Sequence, residues 1–116
     1  MSENQRKHER LEVRLPALLQ PVGEEGPSLK ATITNLGPEG AFCQAERAIP
    51  QGTHVVVSFG IADMDVSVHA DGIVRWLSTA EDRQGVGIHF TRITREEKDA
   101  VYRYILIKHA ESRGLL

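Results

Sequence analysis

The sequence predicts a mainly β protein: six short strands followed by one C-terminal helix. Three observations carry this expectation. Apolar and polar residues alternate in short runs from Leu11 onward. Turn-forming stretches rich in glycine and proline separate those runs. From Thr94 the apolar spacing lengthens to that of a helix. The expected architecture is an antiparallel barrel or sandwich with the helix packed on an open end.

Each element has its own justification. Residues 1–9 contain no apolar residue after Met1, so they are expected to form a flexible arm. The first strand places Leu11, Val13, Leu15, Ala17 and Leu19 on one face, and Pro16 points to an edge or a bulge within it. PVGEEGPS (21–28) is a turn. In LKATITN (29–35), Leu29, Ala31 and Ile33 alternate with Lys30, Thr32 and Thr34. LGPEG (36–40) reads as a second turn and AFCQA as a short third strand. After the loop RAIPQGT, HVVVSFG (54–60) is rich in strand formers. A turn at Ala62-Asp63-Met64 leads to a long strand. There Val66, Val68, Ala70, Val74 and Trp76 share one parity, with a bulge expected at Gly72. STAEDRQ turns the chain into GVGIHF (85–90). Finally, Thr94 and Glu97 fit a capping box for an amphipathic helix ending near Gly114. Its stripe is Val101, Tyr104, Ile105 and Lys108, flanked by Tyr102, Leu106 and His109.

Composition narrows the function. At 116 residues one domain is expected, with the arm over 1–9, the barrel over 10–92 and the helix over 93–116. The 41% apolar and 26% charged fractions are those of a soluble globular protein. A net charge of −2 argues against a nucleic-acid binder, which presents a broad positive face. The lone Cys43 permits no intrachain disulfide and fits a reducing compartment. No apolar run approaches the ~20 residues that span a bilayer, and the polar start is no signal peptide. The expected location is therefore the cytoplasm, without membrane insertion.

No enzyme constellation emerges. His8, His54, His69, His89 and His109 are scattered without metal-ligand spacing. By parity His69 and His89 face solvent. Cys43 shares parity with Ala41 and Ala45, which suits a small buried hydrophobe better than a nucleophile. Asp63 and Asp65 flank a turn, where carboxylates are common. GVG at 85–87 lies in a strand and precedes no helix, so it is no dinucleotide loop. Nothing supports an enzyme that hydrolyses a phosphodiester.

Two features remain. Arg6 and Arg10 stand four apart on the arm. Arginine's planar fork matches phosphate oxygens and the O6/N7 edge of guanine. Arg14 repeats the spacing but occupies a polar strand position. The second feature is Asn35-Leu36-Gly37-Pro38-Glu39-Gly40. Asn35 offers a donor and an acceptor to a base edge, while Gly37 and Gly40 permit positive φ or close approach of backbone to a ligand. The same residues are also ordinary turn formers.

Taken together, RKHER before a strand, NxGxxG at the second turn, then GIVRW and GVGIHF before a final helix resemble the PilZ domain family over nearly the whole chain. The resemblance implies a six-stranded antiparallel barrel with a C-terminal helix. It also implies a receptor for cyclic di-GMP, a ligand and not a cofactor. The family pattern is R-x-x-x-R on the arm and [D/N]-x-S-x-x-G after the second strand. Arg6 and Arg10 match the first; Asn35 and Gly40 match the ends of the second. Gly37 replaces the family's serine, and one lost neutral hydrogen bond costs about 0.5–1.5 kcal/mol, or up to about tenfold in affinity. By this resemblance Arg6 and Arg10 clamp phosphates and guanine edges, Asn35 reads a guanine edge, and Gly37 and Gly40 admit the base. Gln5, Lys7, His8, Leu36 and Trp76 are secondary candidates, with a core role for Trp76 equally open. Gln5, before the first arginine, leaves one ligand or a stacked pair open. The expected partner is an effector protein, and the chain a monomer or homodimer. The alternative is a degenerate PilZ adaptor that binds no nucleotide and uses Tyr102, Leu106, Leu115 and Leu116 as a contact face.

Overall fold

A computed structural model describes residues 10–79 and 84–114. Six strands form a closed antiparallel barrel in the order β1-β2-β3-β6-β5-β4, closed by pairing of β1 with β4. The strands are β1 (Leu11–Pro21), β2 (Leu29–Gly37), β3 (Gly40–Ala45), β4 (His54–Ile61), β5 (Val66–Ser78) and β6 (Gly85–Arg92). Helix α1 covers Arg95–Ser112. The alternation read from the sequence therefore closes into a barrel, not a sandwich.

The interior follows parity. Leu19, Ile33, Cys43, Val57, Val68 and Ala70 are fully buried. Burial pushes the Cys43 thiol up to about 12, so it behaves as a small apolar side chain and not as a nucleophile. Pro16 pairs with Thr32 of β2 and stands one residue beyond the ladder from β1 to β4, which begins at Ala17. Its missing N–H thus falls where that ladder has ended. A register shift does fall between Asp71 and Gly72, but its extra residue is Thr91 of β6, so the alternation of β5 runs through Gly72 unbroken and the bulge expected there lies in the partner strand.

Besides a shift in β1 between Glu12 and Leu15, two further irregularities depart from simple alternation. In β2 an extra residue at Thr34 separates Ile33, paired with Cys43, from Asn35, paired with Phe42. Parity flips there, so Leu36 faces inward. It is fully buried in the core, which removes it as a ligand contact. The second strand also runs on to Gly37, and the turn reduces to Pro38-Glu39 between the paired Gly37 and Gly40. In β5 the register slips between Val74, opposite Ile88, and Trp76, opposite Gly87. Trp76 consequently leaves the core and is 51% exposed. The shared parity with Val74 and Ala70 ends at this bulge.

Helix α1 closes the barrel end where β1 begins. Ala100, Val101, Tyr104 and Ile105 are its buried residues. Lys108 is not part of that buried stripe. It pairs with Asp63 of the β4–β5 connection at 3.1 Å and with Glu111 at 3.2 Å, near the Tyr104 ring. The capping box is formed: Glu97 N–H donates to Thr94 Oγ1, and Thr94 N–H donates to Glu97 Oε1, both at 3.0 Å. The other oxygen of Glu97 accepts from His69 N–H of β5 at 3.0 Å, which ties the helix start to the barrel. No described helix is long and apolar enough to cross a membrane.

Partial burial raises the Glu97 carboxyl pKa, but hydrogen bonds from His69 and Thr94 outweigh it and hold the group below its usual 4.5. A depressed carboxyl stabilises the fold above its unfolded-state pKa, and that contribution fades as pH falls through the folded-state value. Melting followed by circular dichroism from about pH 7 to about pH 3 should show a smaller acid-induced fall in Tm for Glu97→Gln than for the wild type. Equal falls would remove Glu97 from the acid response.

Candidate functional site

The two bulges bring one group of residues to the outer face beside the helix-capped end. Arg10 directly precedes β1, and its Nε donates to Asn35 Oδ1 at 2.8 Å. Asn35 faces outward because the inserted Thr34 has flipped the parity of β2, and its neighbours in register are Glu12 and Phe42. Phe42 stacks on Trp76 with ring centroids 5.0 Å apart and planes 19° from parallel. Gly87 lies between them in register, paired with both. A Cβ on Gly87 would overlap the Trp76 indole, so glycine is what allows the ring to lie on the strand. Gly85 plays the same part under Phe42.

The turn after β2 is pinned from two sides. Phe90 N–H donates to the Glu39 carbonyl at 2.8 Å, and the Glu39 carboxylate pairs with Lys98 of α1 at 2.9 Å. Gly40 packs directly on β6, where a Cβ would overlap the Ile88 carbonyl oxygen. Neither Gly37 nor Gly40 has a positive φ. Gly40 is required for close packing of backbone on backbone, not for a left-handed turn. At the other end of α1, His109 Nε2–H donates to the Arg10 carbonyl at 3.1 Å.

These residues enclose a cleft of about 310 Å³ lined by Arg10, Glu39, Gly40, Phe42, Arg75, Trp76, Gly87 and His89. It joins two guanidinium groups and an imidazole to a stacked aromatic pair whose Trp76 is exposed, a combination suited to a ligand with both a flat base and a negative charge. A larger depression of about 570 Å³ lies on the outer wall around Leu18, Phe59 and His69, but it is mostly apolar and has no arginine. Chemistry, not size, singles out the smaller cleft.

The structure thus brings Arg10, Asn35, Gly40 and Trp76 together. Gly37 is buried beside Gly40, and Leu36 belongs to the core. Gln5, Arg6, Lys7 and His8 lie outside the described residues, as does the expected arm. Sequence reasoning missed Phe42, Glu39, Arg75 and His89 as cleft residues. For Phe42 and Trp76 a signal existed in the alternate glycines of GVG, which leave room for rings on one face. Among the described residues no cluster of three metal-ligating side chains occurs.

A family model described as the PilZ domain matches residues 4–106. The chain belongs to the PilZ domain family. Among solved structures, its fold is similar to the inhibitor of motility MotI/DgrA of Bacillus subtilis (TM-score 0.77, 12% identity, 93% of this chain covered). The match takes in 53% of that protein, so the chain spans about half its length. It is also similar to the PilZ domain of YcgR from Escherichia coli, determined with c-di-GMP (TM-score 0.70, 13% identity, 95% of each chain covered). At these identities the likeness is one of fold. No curated protein matches by sequence. In this PilZ domain the cleft lies between the N-terminal edge of β1, the β2–β3 turn and the outer faces of β5 and β6.

Trp76 is the only tryptophan, so its fluorescence reports on the aromatic pair alone. Gly87→Ala should displace the indole and shift its emission maximum. A spectrum superimposable on the wild type's would show that the ring does not rest on Gly87.

Proposed function

We propose that this PilZ domain is a receptor for cyclic di-GMP that acts on a partner protein and performs no chemistry itself. One observation carries the reading: the hydrogen bond from Arg10 Nε to Asn35 Oδ1 beside the stacked Phe42 and Trp76. It joins the second arginine of the arm motif to the first residue of the turn motif, next to a surface on which a base can stack.

The reading gives each of these residues a role. Asn35 accepts from Arg10 through its carbonyl oxygen, so it orients the guanidinium and still has its amide donors for a base. Arg10 keeps its two terminal nitrogens for phosphate oxygens or for guanine O6 and N7. Arg6 supplies the second fork from the arm. Trp76 carries a guanine on its exposed surface, a contact worth about 1–3 kcal/mol. Gly40 keeps the turn against β6, and the Gly37 backbone stands where the family pattern has serine. Gln5, Lys7 and His8 add contacts from the arm. Helix α1 touches both halves of the site, through His109 on Arg10 and Lys98 on Glu39. A ligand that moves either half therefore acts on the helix, and an effector protein reads the change. The messenger is bacterial and intracellular, which puts the protein in the cytoplasm. The same carriers suit a monomer or a homodimer.

A second reading, an adaptor without nucleotide, draws on the outer side of α1, where Tyr102, Leu106 and Ile107 are exposed. Isothermal calorimetry separates the two. The receptor binds cyclic di-GMP, and Arg6→Ala and Arg10→Ala each weaken binding at least several-fold, since each removes a charged hydrogen bond of about 1.5–3 kcal/mol. No heat at high micromolar ligand leaves the adaptor. Unchanged affinity in both variants refutes the clamp.

A further inference from the structure

We infer that Arg75 is a further phosphate-binding residue of this cleft, taking a phosphate that Arg10 does not hold. The inference rests on the cyclic di-GMP reading and deepens it. Neighbouring residues of a strand normally point to opposite faces. Here Arg75, Trp76 and Leu77 are exposed in succession, because the bulge between Val74 and Trp76 breaks the alternation. The bulge thus sets a guanidinium beside the stacking ring on one wall of one cleft. Re-aiming a side chain in this way is a recurrent use of bulges.

Arg75 is also uncommitted. Arg47 pairs with Glu24, Arg92 with Asp71, and Arg10 with Asn35. The Arg75 side chain makes no hydrogen bond or ion pair with any described residue. The one carboxylate lining the cleft, Glu39, is paired with Lys98. A free fork therefore stands in a cleft whose only acid is engaged. The ligand carries two phosphodiester charges on opposite sides of its ring. A base stacked on Trp76 brings its sugar-phosphate to the next residue along the wall, while Arg10 stands across the cleft at the root of β1. Arginine suits this place better than lysine because its planar fork takes two phosphate oxygens at once.

The test is calorimetry with cyclic di-GMP on wild type, Arg10→Ala, Arg75→Ala and Arg75→Lys, each at low and high salt. Arg75 is exposed, so its variants should melt as the wild type does. Arg75→Ala should lose about tenfold in affinity, the size of one charge-assisted hydrogen bond. Its affinity should also depend less on salt, since one attraction has gone. Arg75→Lys should recover part of both effects. A merely structural role for the bulge would move Tm and leave the salt dependence unchanged. If wild type binds and Arg10→Ala weakens it, while Arg75→Ala matches wild type at both salts, this inference alone falls. If wild type does not bind, the receptor reading falls and takes this inference with it.

Discussion

A closed barrel gives every strand residue one of two places, inside or outside, and the chain changes sides only where a residue is inserted. The rest of this structure depends on that constraint. Away from the register shifts the strands fill the interior by alternation, and nothing in that pattern makes a binding site. The site arises where alternation breaks. Thr34 is the inserted residue in β2, and it turns Asn35 outward and Leu36 inward. Arg75 is the inserted residue in β5, and it releases Trp76 to the surface. Without the first insertion Asn35 would meet the core; without the second, the indole would. Arg75 lines the cleft itself, and Asn35, turned outward by Thr34, bonds to Arg10, which lines it too.

The same constraint explains what the sequence made legible. Alternation in β1, β4 and most of β5 is local, so it could be read from one strand at a time. The capping box of Thr94 and Glu97 is local as well. Gly72 marked the place of a register shift, although the extra residue there, Thr91, belongs to β6. Thr34 and Arg75 carry no such mark. A bulge is a property of two paired strands, and only the register against Cys43 and Phe42, or against Ile88 and Gly87, reveals it. Hence Leu36 was taken for a contact and Trp76 for an equal candidate for the core. Arg10 and Asn35 were found as motif residues, but their mutual hydrogen bond was not. Four cleft residues went unseen because they come from three different strands and a turn.

Glycine supplies the second requirement of the site, which is closeness. Gly40, Gly85 and Gly87 each face a backbone carbonyl or a ring at a distance no Cβ could tolerate. Gly40 lets the β2–β3 turn sit on β6, and that contact fixes the height of the turn relative to the aromatic pair. Gly85 and Gly87 leave a floor on which Phe42 and Trp76 lie flat. The glycines of GVG thus seat two rings and form no phosphate loop.

Helix α1 gives the site a route outward. It packs through only four buried residues, Ala100, Val101, Tyr104 and Ile105, yet it touches two connections and the start of β1. Lys98 meets the β2–β3 turn, Lys108 meets the β4–β5 connection, and His109 meets the Arg10 carbonyl. Arg10 is therefore held at two points with different owners: its side chain by Asn35 of the barrel, its carbonyl by the helix. In the proposed receptor a ligand that pulls on the guanidinium bears on the same residue whose backbone anchors the end of the helix. Coupling of this kind is reciprocal in free energy. A partner that draws the helix away from Arg10 changes ligand affinity by the factor with which the ligand changes the partner's. The short distance between site and helix removes any need for a longer pathway, since one residue belongs to both.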